Sequence, residues 1–395
     1  MSEWKKVKLG DICERVTSGG TPKANVSSYY FPPIIPWLKT KEVNYCRITE
    51  TENFISEEGL NNSSAKLIAP NSVIIAMYGQ GDTAGRVAIN KIPLTTNQAC
   101  CNLTIDESKA DYEFIYYQLC TLYNKMVSLK AGAAQPNLNA QIIKNLEVLL
   151  PSLPMQHHIA TALSRYDSLI ENYQKQIKLL EEAAQRLYKE WFVDLRFPGH
   201  ENTKIVDGVP EGWVKKKIGD IVIYYDKQRK PLSSMQRMNM EKIYPYYGAA
   251  SLMDYVDDYL FDGVYLLFGE DGTVITPDNY PVLQYVWGKF WVNNHAHVLR
   301  GNGDISTEFI YSMFKEMSIA DVVTGAAQPK ISHGRLSEKK VIMPSMELVM
   351  IWSNATKSYF DSIKKMTDEI RLLTEARDRL LPKLMSGSNK VKSKQ

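Results

Sequence analysis

Two long segments of the chain place hydrophobic residues at alternating spacings of four and three, the pattern of a helix that packs against another helix. In the first segment these positions are Ile159, Leu163, Tyr166, Ile170, Tyr173, Ile177, Leu180, Ala184, Leu187 and Trp191. Adding 193 to each number gives the second set: Trp352, Thr356, Tyr359, Ile363, Met366, Ile370, Leu373, Arg377, Leu380 and Leu384. Only Thr356 and Arg377 depart from the apolar pattern, so the sequence predicts two long helices in one shared register.

Helices that share a sustained heptad register are expected to pair with each other, here as an antiparallel coiled coil. The predicted seam residues are Leu163, Tyr166, Ile170, Ile177, Leu180, Ile363, Ile370, Leu373 and Leu380. Antiparallel pairing keeps the connections short and gives a dumbbell with a pseudo-two-fold axis. Two alternatives stay open: each helix packs on its own domain, or pairs with a second copy of the chain.

The remaining pattern is that of mixed α/β domains. Residues 73–78, 87–89, 264–268 and 290–293 have the β-branched and aromatic content of strands, and residues 112–122 and 308–317 are predicted to form short helices. Residues 196–204 are expected to be a linker, and the polar tail from residue 386 is expected to be disordered.

The chain repeats itself. Trp-Lys-Lys-Val-Lys-Leu-Gly-Asp-Ile at residues 4–12 returns in similar form at 213–221, an offset of 209. Gly-Ala-Ala-Gln-Pro at residues 132–136 returns unchanged at 325–329, an offset of 193 that also relates the two long helices. One unit is therefore used twice, with about 16 fewer residues in the second copy, and this internal repeat is the strongest indication of the architecture.

Composition excludes several classes of protein. With 44% hydrophobic and 23% charged residues, the 395-residue chain has the composition of a globular protein. No apolar run reaches the roughly 18 residues of a membrane span, and the start lacks a secretory signal, so a cytoplasmic location is expected. The five cysteines form no CxxC pair, which indicates reduced thiols. The net charge of +3 is too small to establish a nucleic-acid partner.

Catalytic and metal motifs are missing from the sequence. It contains no GxxxxGK[ST] loop, no GxGxxG between a strand and a helix, no HExxH and no methyltransferase Asn/Asp-Pro-Pro-Tyr/Phe motif. Residues 268–272 are expected to form a hairpin turn. His295 and His297 could suggest a metal, but a packed or hydrogen-bonded pair is favoured because a third ligand is not evident. We expect no catalysis, no metal and no cofactor in this chain.

Predicted loops carry residues suited to recognition of DNA. Lysine and arginine contact guanine edges or phosphates, whereas asparagine and glutamine bond adenine edges. The candidates are Ser18, Gly20, Thr21, Lys23, Lys39, Lys41, Tyr78, Gln80, Asn97, Gln98 and Gln135 in the first copy, and Lys227, Arg229, Lys230, Tyr247, Asn293, Asn294 and Gln328 in the second. For any one of them, a turn or core role is at least as plausible, so the loops are predicted as a class.

The repeats match in their framing segments and diverge in the middle. Residues 20–110 and 229–305 are dissimilar and differ in length. A duplicated scaffold that reads two different half-sites would have this pattern, whereas two domains that read the same half-site would be more alike. We therefore predict an asymmetric rather than a palindromic target.

Two closing segments resemble the specificity subunits of type I restriction-modification systems. Leu-Tyr-Lys-Glu-Trp-Phe-Val-Asp-Leu at residues 187–195 is similar to their central region, and Arg-Leu-Leu-Pro-Lys-Leu-Met-Ser-Gly at residues 379–387 to their C-terminal signature. The resemblance covers nearly the whole chain. It implies target recognition domains at residues 1–150 and 196–343, and spacer helices at 151–195 and 344–395, the latter with the tail.

The resemblance further implies a non-catalytic subunit that reads a bipartite, asymmetric double-stranded DNA target. Two methyltransferase (modification) subunits would dock along the helices, and restriction/translocase subunits beyond them. S-adenosylmethionine, ATP and magnesium would belong to those partners. The alternatives are a specificity chain for a methyltransferase–nuclease fusion, an adaptor whose domains bind proteins, and a catalytic methyltransferase or nuclease, which the missing motifs disfavour.

Overall fold

The computed structural model describes residues 4–131, 137–325 and 328–386, and these fall into two compact units. Unit 1 comprises Met1–Glu171 with Arg371–Gln395, and unit 2 comprises Asn172–Ile370. The four segments predicted from the sequence are bounded by the expected ends of the long helices. The two units are instead defined by contacts between residues, so each long helix is divided between them. The box that contains Gln135 lies outside the described residues, as does most of the tail.

Unit 1 is a mixed α/β unit. Its strands are β1 (Lys5–Lys8), β2 (Cys13–Ser18), β3 (Ile35–Leu38), β4 (Cys46–Ile48), β5 (Phe54–Ile55), β6 (Val73–Ala76), β7 (Val87–Asn90), β8 (Thr95–Thr96), β9 (Cys100–Ile105) and β10 (Glu147–Leu150). Its helices are α1 (Glu57–Asn61), α2 (Tyr112–Thr121), α3 (Tyr123–Ala131), α4 (Ala140–Lys144) and the first half of α5 (Leu153–Tyr188).

The main sheet of unit 1 has the order β2-β9-β6-β7-β4 and is antiparallel except for the β4–β7 pair. A smaller sheet has the order β5-β3-β8, and β1 pairs with β10 as a separate ribbon. Helix α2 begins at Asp111, whose side chain accepts a hydrogen bond from the Phe114 amide at 2.8 Å. The buried residues Phe114, Ile115 and Leu119 of α2 share one core with the sheet.

Unit 2 repeats this plan. Its strands are β11 (Ile205–Val206), β12 (Val209–Pro210), β13 (Val214–Lys217), β14 (Val222–Tyr224), β15 (Tyr244–Tyr247), β16 (Leu252–Val256), β17 (Phe261–Asp262), β18 (Tyr265–Gly269), β19 (Leu283–Val286), β20 (Lys289–Val292), β21 (Ala296–Gly301) and β22 (Lys340–Met343). Its helices are α6 (Ile218–Ile221), α7 (Ser234–Met238), α8 (Thr307–Lys315), α9 (His333–Glu338) and most of α10 (Met346–Met385).

The strand orders show how the two units correspond. The main sheet of unit 2, β14-β21-β18-β19, is antiparallel throughout and matches β2-β9-β6-β7 of unit 1 strand for strand. The second sheet has the order β16-β15-β20-β17, and its parallel β15–β20 pair matches the parallel β3–β8 pair. The ribbon β13–β22 matches β1–β10. The predicted repeat is thus confirmed as a repeat of topology.

The two long helices run antiparallel. In unit 1, Nη1 of Arg377 on α10 lies 2.6 Å from Oδ1 of the buried Asp167 on α5, and the Tyr117 hydroxyl of α2 donates to the same carboxylate. In unit 2, the ring of Tyr188 at the end of α5 packs edge-on against Trp352 near the start of α10, with centroids 5.8 Å apart. Residue numbers therefore rise along one helix as they fall along the other.

Burial follows the predicted seam. Leu163, Ile170 and Ile363 are buried, and the other six seam residues are half-buried. The two polar departures have structural explanations: Thr356 is fully buried and donates to the Trp352 carbonyl at 3.0 Å, and Arg377 pairs with Asp167. Each helix segment also contributes residues to the core of its unit. The long helices therefore pack against each other and also on their own domains. In the part of the chain that the structure describes, no helix is long and apolar enough to cross a membrane.

Candidate nucleic-acid interface

One end of the main sheet in unit 1 collects most of the candidate loops. Strands β2 and β6 end there and β9 begins there, because Ser18 is opposite Cys101 and Ala76 is opposite Cys100. The connections at this end are residues 18–23, 78–83 and 96–98, which together we call the loop edge of unit 1. A backbone bond joins the first and the third of these segments: the Gly20 amide donates to the Thr96 carbonyl at 2.8 Å.

The Gly19–Gly20 pair of this edge is required by close packing. A Cβ at Gly20 would lie 2.2 Å from the carbonyl carbon of Ser64, and one at Gly19 would lie 2.2 Å from the Asn97 carbonyl oxygen. The indole Nε1 of Trp37 donates to the Gly20 carbonyl at 3.0 Å. These contacts fix the backbone that carries Thr21 and Lys23, both of which are exposed.

The other candidates of unit 1 differ in their surroundings. The Thr21 hydroxyl donates to the exposed Gln98 side chain, and Gln80 is exposed on the adjacent loop. Lys39 is half-buried, with its Nζ 2.9 Å from Oδ1 of Asn53 and over the Trp37 ring. Lys41 forms an exposed ion pair with Glu52. The remaining candidates at or near this edge are half-buried, except Gly20, which is buried: Ser18, Gly20, Tyr78 and Asn97.

The equivalent end of the sheet in unit 2 collects the second group. Tyr224 is opposite Leu299 and Gly269 is opposite Ala296, so β14 and β18 end where β21 begins. The loop edge of unit 2 comprises residues 225–230, 270–273, 293–295 and 328–331. Lys227, Lys230, Asn294 and Gln328 are exposed there.

Gln328 and Pro329, the described end of the second Gly-Ala-Ala-Gln-Pro box, are held against this edge. The Gly272 amide donates to the Pro329 carbonyl at 3.1 Å, and the Gln328 amide nitrogen donates to Oδ1 of Asp271 at 2.8 Å. The Trp291 indole donates to the Lys230 carbonyl at 2.6 Å, as Trp37 does to Gly20 in unit 1. Gln328 and Pro329 therefore support the loops, and in both units an indole fixes the loop that follows the first strand of the main sheet.

Three candidates of unit 2 are engaged within the unit. The Arg229 guanidinium lies 2.6 Å from both Oε2 of Glu270 and the Ala296 carbonyl, with its side chain 12% exposed. Asn293 is buried and its side chain accepts from the His295 amide at 2.9 Å. Tyr247 packs edge-on against Phe290, and burial raises the pKa of its phenol to about 12. These side chains shape the edge and present little surface to a ligand.

A buried ion-pair cluster underlies the edge of unit 2. The Nδ1 of His297 lies 2.6 Å from Oδ2 of Asp226, and its Nε2 lies 2.9 Å from the Ile331 carbonyl. Burial by itself raises the pKa of the Asp226 carboxyl, but the hydrogen bond and charge of His297, the Val298 amide and nearby Arg229 outweigh it, so the net pKa is lowered. His297 is thus hydrogen-bonded, as expected, while His295 is exposed outside the strand.

Asp226, Glu270 and His297 also have the side-chain types of a metal site, with ligand atoms within 4.8 Å of one another. Two observations argue against this use of the cluster. Both ring nitrogens of His297 already have partners, and Arg229 places its positive charge against Glu270, where a cation would otherwise lie. The geometry fits a structural ion-pair cluster.

Sequence reasoning missed this cluster and the two indoles. Asp226 and Glu270 lie 44 residues apart in sequence, and a search for basic and amide residues in loops passes over acidic ones. The signal that could have found Trp37 and Trp291 is a tryptophan at or near the end of a predicted strand that precedes a polar loop. Phe31, 76% exposed and followed by two prolines, also escaped notice.

The fold and the two loop edges define a duplicated recognition protein: one scaffold used twice, with different side chains at equivalent edges. Residues 1–182 and 210–370 match the family model described as the type I restriction modification DNA specificity domain. The chain therefore belongs to the family of type I restriction-modification specificity subunits.

Individual relatives agree with this assignment. The chain is 27% identical to the type I restriction enzyme MjaIX specificity subunit of Methanocaldococcus jannaschii, over 98% of this chain and 94% of the relative. It is 22% identical to the EcoprrI specificity subunit of Escherichia coli, over 89% and 86%. The crystal structure of the type I restriction-modification S subunit from M. genitalium has the same fold, with a TM-score of 0.60 at 19% identity over 97% of this chain and 96% of that one.

Proposed function

We propose that the chain reads a bipartite, asymmetric double-stranded DNA target, with one half-site bound at the loop edge of each unit. The observation that carries this proposal is that equivalent edges of a repeated scaffold carry different polar side chains. In unit 1 these are Thr21, Lys23 and Gln98; in unit 2 the exposed lysines Lys227 and Lys230 are prominent. Different donors and acceptors at equivalent positions select different bases.

The chain performs no chemistry of its own in this proposal. It docks two methyltransferase subunits through its helices, with restriction/translocase subunits beyond them, in the cytoplasm. S-adenosylmethionine, ATP and magnesium are bound by those partners. At 1.5 Å per residue, the 36 residues of α5 extend over about 54 Å, which exceeds the roughly 35 Å of one DNA helical turn, so the helices can set the gap between half-sites.

Methylation mapping tests the proposal. Long-read sequencing of DNA from cells that express this chain with its methyltransferase subunit is expected to reveal one bipartite motif that disappears when the chain is omitted. Exchange of residues 1–150 for those of another family member should change one half-site only. Removal of seven residues from both α5 and α10 should change the gap and leave both half-sites readable.

The adaptor alternative makes the opposite prediction for DNA. An adaptor would show no sequence-selective binding and no loss of affinity with salt, whereas phosphate contacts make log affinity fall linearly with log salt concentration. If the methyltransferase subunit is active and bound but no motif is methylated, the proposal fails.

A further inference from the structure

The two-stranded ribbons β1–β10 and β13–β22 share an outward pair of a lysine and an aliphatic residue in both units. Paired residues of an antiparallel ribbon lie on one face, so Lys6 with Leu149 and Lys215 with Ile342 form equivalent outward pairs. Leu149 is 42% exposed and Ile342 is 48% exposed. The opposite face is partly covered, because Val148 and Met343 are buried.

Charged side chains, most of them lysines, flank each exposed aliphatic side chain. The adjacent outward positions are Lys8 with its opposite residue Glu147 in unit 1, and Lys217 with its opposite residue Lys340 in unit 2, all exposed. An open groove of about 710 Å³ runs beside the ribbon of unit 1, with apolar lining from Val7, Ile12 and Leu150. Its charged lining comprises Lys6, Lys8, Lys109, Asp11 and Glu147. Each ribbon thus places a small apolar spot beside lysines, and the ribbon of unit 1 also carries the acidic Glu147.

The ribbons lie away from the loop edges. In unit 1 the chain passes from β1 through a short turn into the start of β2, and the loop edge follows the far end of that strand. Six residues of strand extend over about 20 Å. The same order of ribbon, strand and loop edge recurs in unit 2. DNA bound at the loop edge therefore leaves the ribbon available to another ligand.

The chemistry favours a protein over a phosphate backbone. Protein interfaces have an apolar centre and a polar rim, whereas phosphate contacts gain nothing from an exposed leucine or isoleucine. The loop edges differ between the units, but the ribbons keep the same outward pair. An outward pair that recurs in both units fits a partner that binds as two equal copies.

We propose that the outward faces of the two ribbons are equivalent docking sites for the methyltransferase subunit, one copy per ribbon, through an acidic surface with an apolar residue at its centre. This inference rests on the proposed function for the identity of the partner. The proposed function places the methyltransferase subunits along the helices, and this inference adds the ribbon of each unit as a second contact surface.

The test measures stoichiometry in the reconstituted complex by native mass spectrometry. Wild-type chain should bind two methyltransferase subunits. K215E/I342E should bind one copy, K6E/L149E should bind one copy, and the combined variant should bind none, with a loss of affinity of about 100-fold or more at each altered ribbon because like charges then face each other. The exposed ion pair between Lys6 and Glu147 contributes little to stability, so the change should not unfold unit 1.

Matched controls separate the effect from net charge and from misfolding. K66E in unit 1 and K204E in unit 2 alter exposed lysines outside the ribbons and should leave two copies bound. Hydrogen exchange in β6 and β18 should be the same in every variant. If wild type binds two copies and the ribbon variants also do, this inference is wrong; if wild type binds no methyltransferase subunit, the proposed function fails instead. Loss of DNA affinity by the ribbon variants, with unchanged stoichiometry, would assign the ribbons to phosphate contact and overturn the inference.

Discussion

Replacement of Arg377 by methionine should loosen the end of α10 from unit 1. The Asp167 carboxylate is 7% exposed and accepts from both Arg377 and the Tyr117 hydroxyl. Burial by itself lowers the pKa of the Arg377 guanidinium, but Asp167 and Asp378 outweigh it and raise the pKa above the ordinary value. The guanidinium is therefore charged, and its removal leaves a buried carboxylate with one partner fewer.

The expected loss of unfolding free energy follows from the burial of the ion pair. Removal of one member of a buried ion pair costs about 3–5 kcal/mol. Arg377 is 22% exposed at its side chain, and Asp167 keeps Tyr117, so we expect a loss at or just below the lower limit of that range, about 2–3 kcal/mol. R371M breaks an exposed pair with Glu375 on the same helix and should cost less than about 0.5 kcal/mol.

The repeat offers an uncharged version of the same junction. The positions in unit 2 that correspond to Tyr117, Asp167 and Arg377 by the sequence offsets hold Ser312, Phe360 and Ala184, all buried. The variant Y117F/D167L/R377M should therefore regain most of the stability that R377M loses, because apolar replacement of a buried ion pair is often neutral or stabilising.

Hydrogen exchange suits this test because a chain of two units need not unfold in one step. Amides of residues 371–385 and 153–171 should lose protection in R377M, while those of α8 in unit 2 should not change. Equal losses in R377M and R371M, or unchanged protection in both, would refute the argument that the buried pair holds the helix end.

Three further results are expected. G20A should weaken reading of the unit 1 half-site alone, because its Cβ would collide with backbone 2.2 Å away; methylation mapping of both half-sites checks this. K227A/K230A should lower affinity for all sequences and reduce the slope of log affinity against log salt by about one per lysine that contacts phosphate, measured by fluorescence anisotropy. Because the pKa of Asp226 lies below its ordinary 3.8, the stability it contributes is present above that pH and is lost as the pH falls through the lower folded value. D226N lacks this contribution, so the difference in unfolding free energy from wild type should shrink as the pH falls below 4.

The periodicity of the sequence predicted which faces of the helices are buried, but not what meets the polar positions. Arg377 broke the heptad pattern, and its partner Asp167 lies 210 residues earlier in the chain. The sequence around either residue does not indicate which distant residue will be its partner. The spacing of hydrophobic residues reports the orientation of a side chain, whereas an ion pair across two helices depends on their axial register.

The loop candidates show a similar limit to prediction from the sequence. Their position between strands was readable from turn residues, and the strand register then brings most of them to one end of each sheet. Lys227 and Arg229 are two residues apart and chemically alike, yet one is exposed and the other is engaged by Glu270 and the Ala296 carbonyl. That difference depends on strands that are distant in sequence. The sequence could therefore predict which loop carries candidate residues, but not which of these residues are exposed.

The division of the chain has a consequence for its synthesis. Unit 2 is one continuous segment of about 200 residues, whereas unit 1 needs residues on both sides of it. At 5–20 residues per second, about 10–40 s separate the emergence of Glu171 from that of Arg371. During that interval the nascent first unit lacks Leu380, Leu381, Leu384 and Met385 against its core. Unit 2, although second in the sequence, is the first that a ribosome can deliver complete.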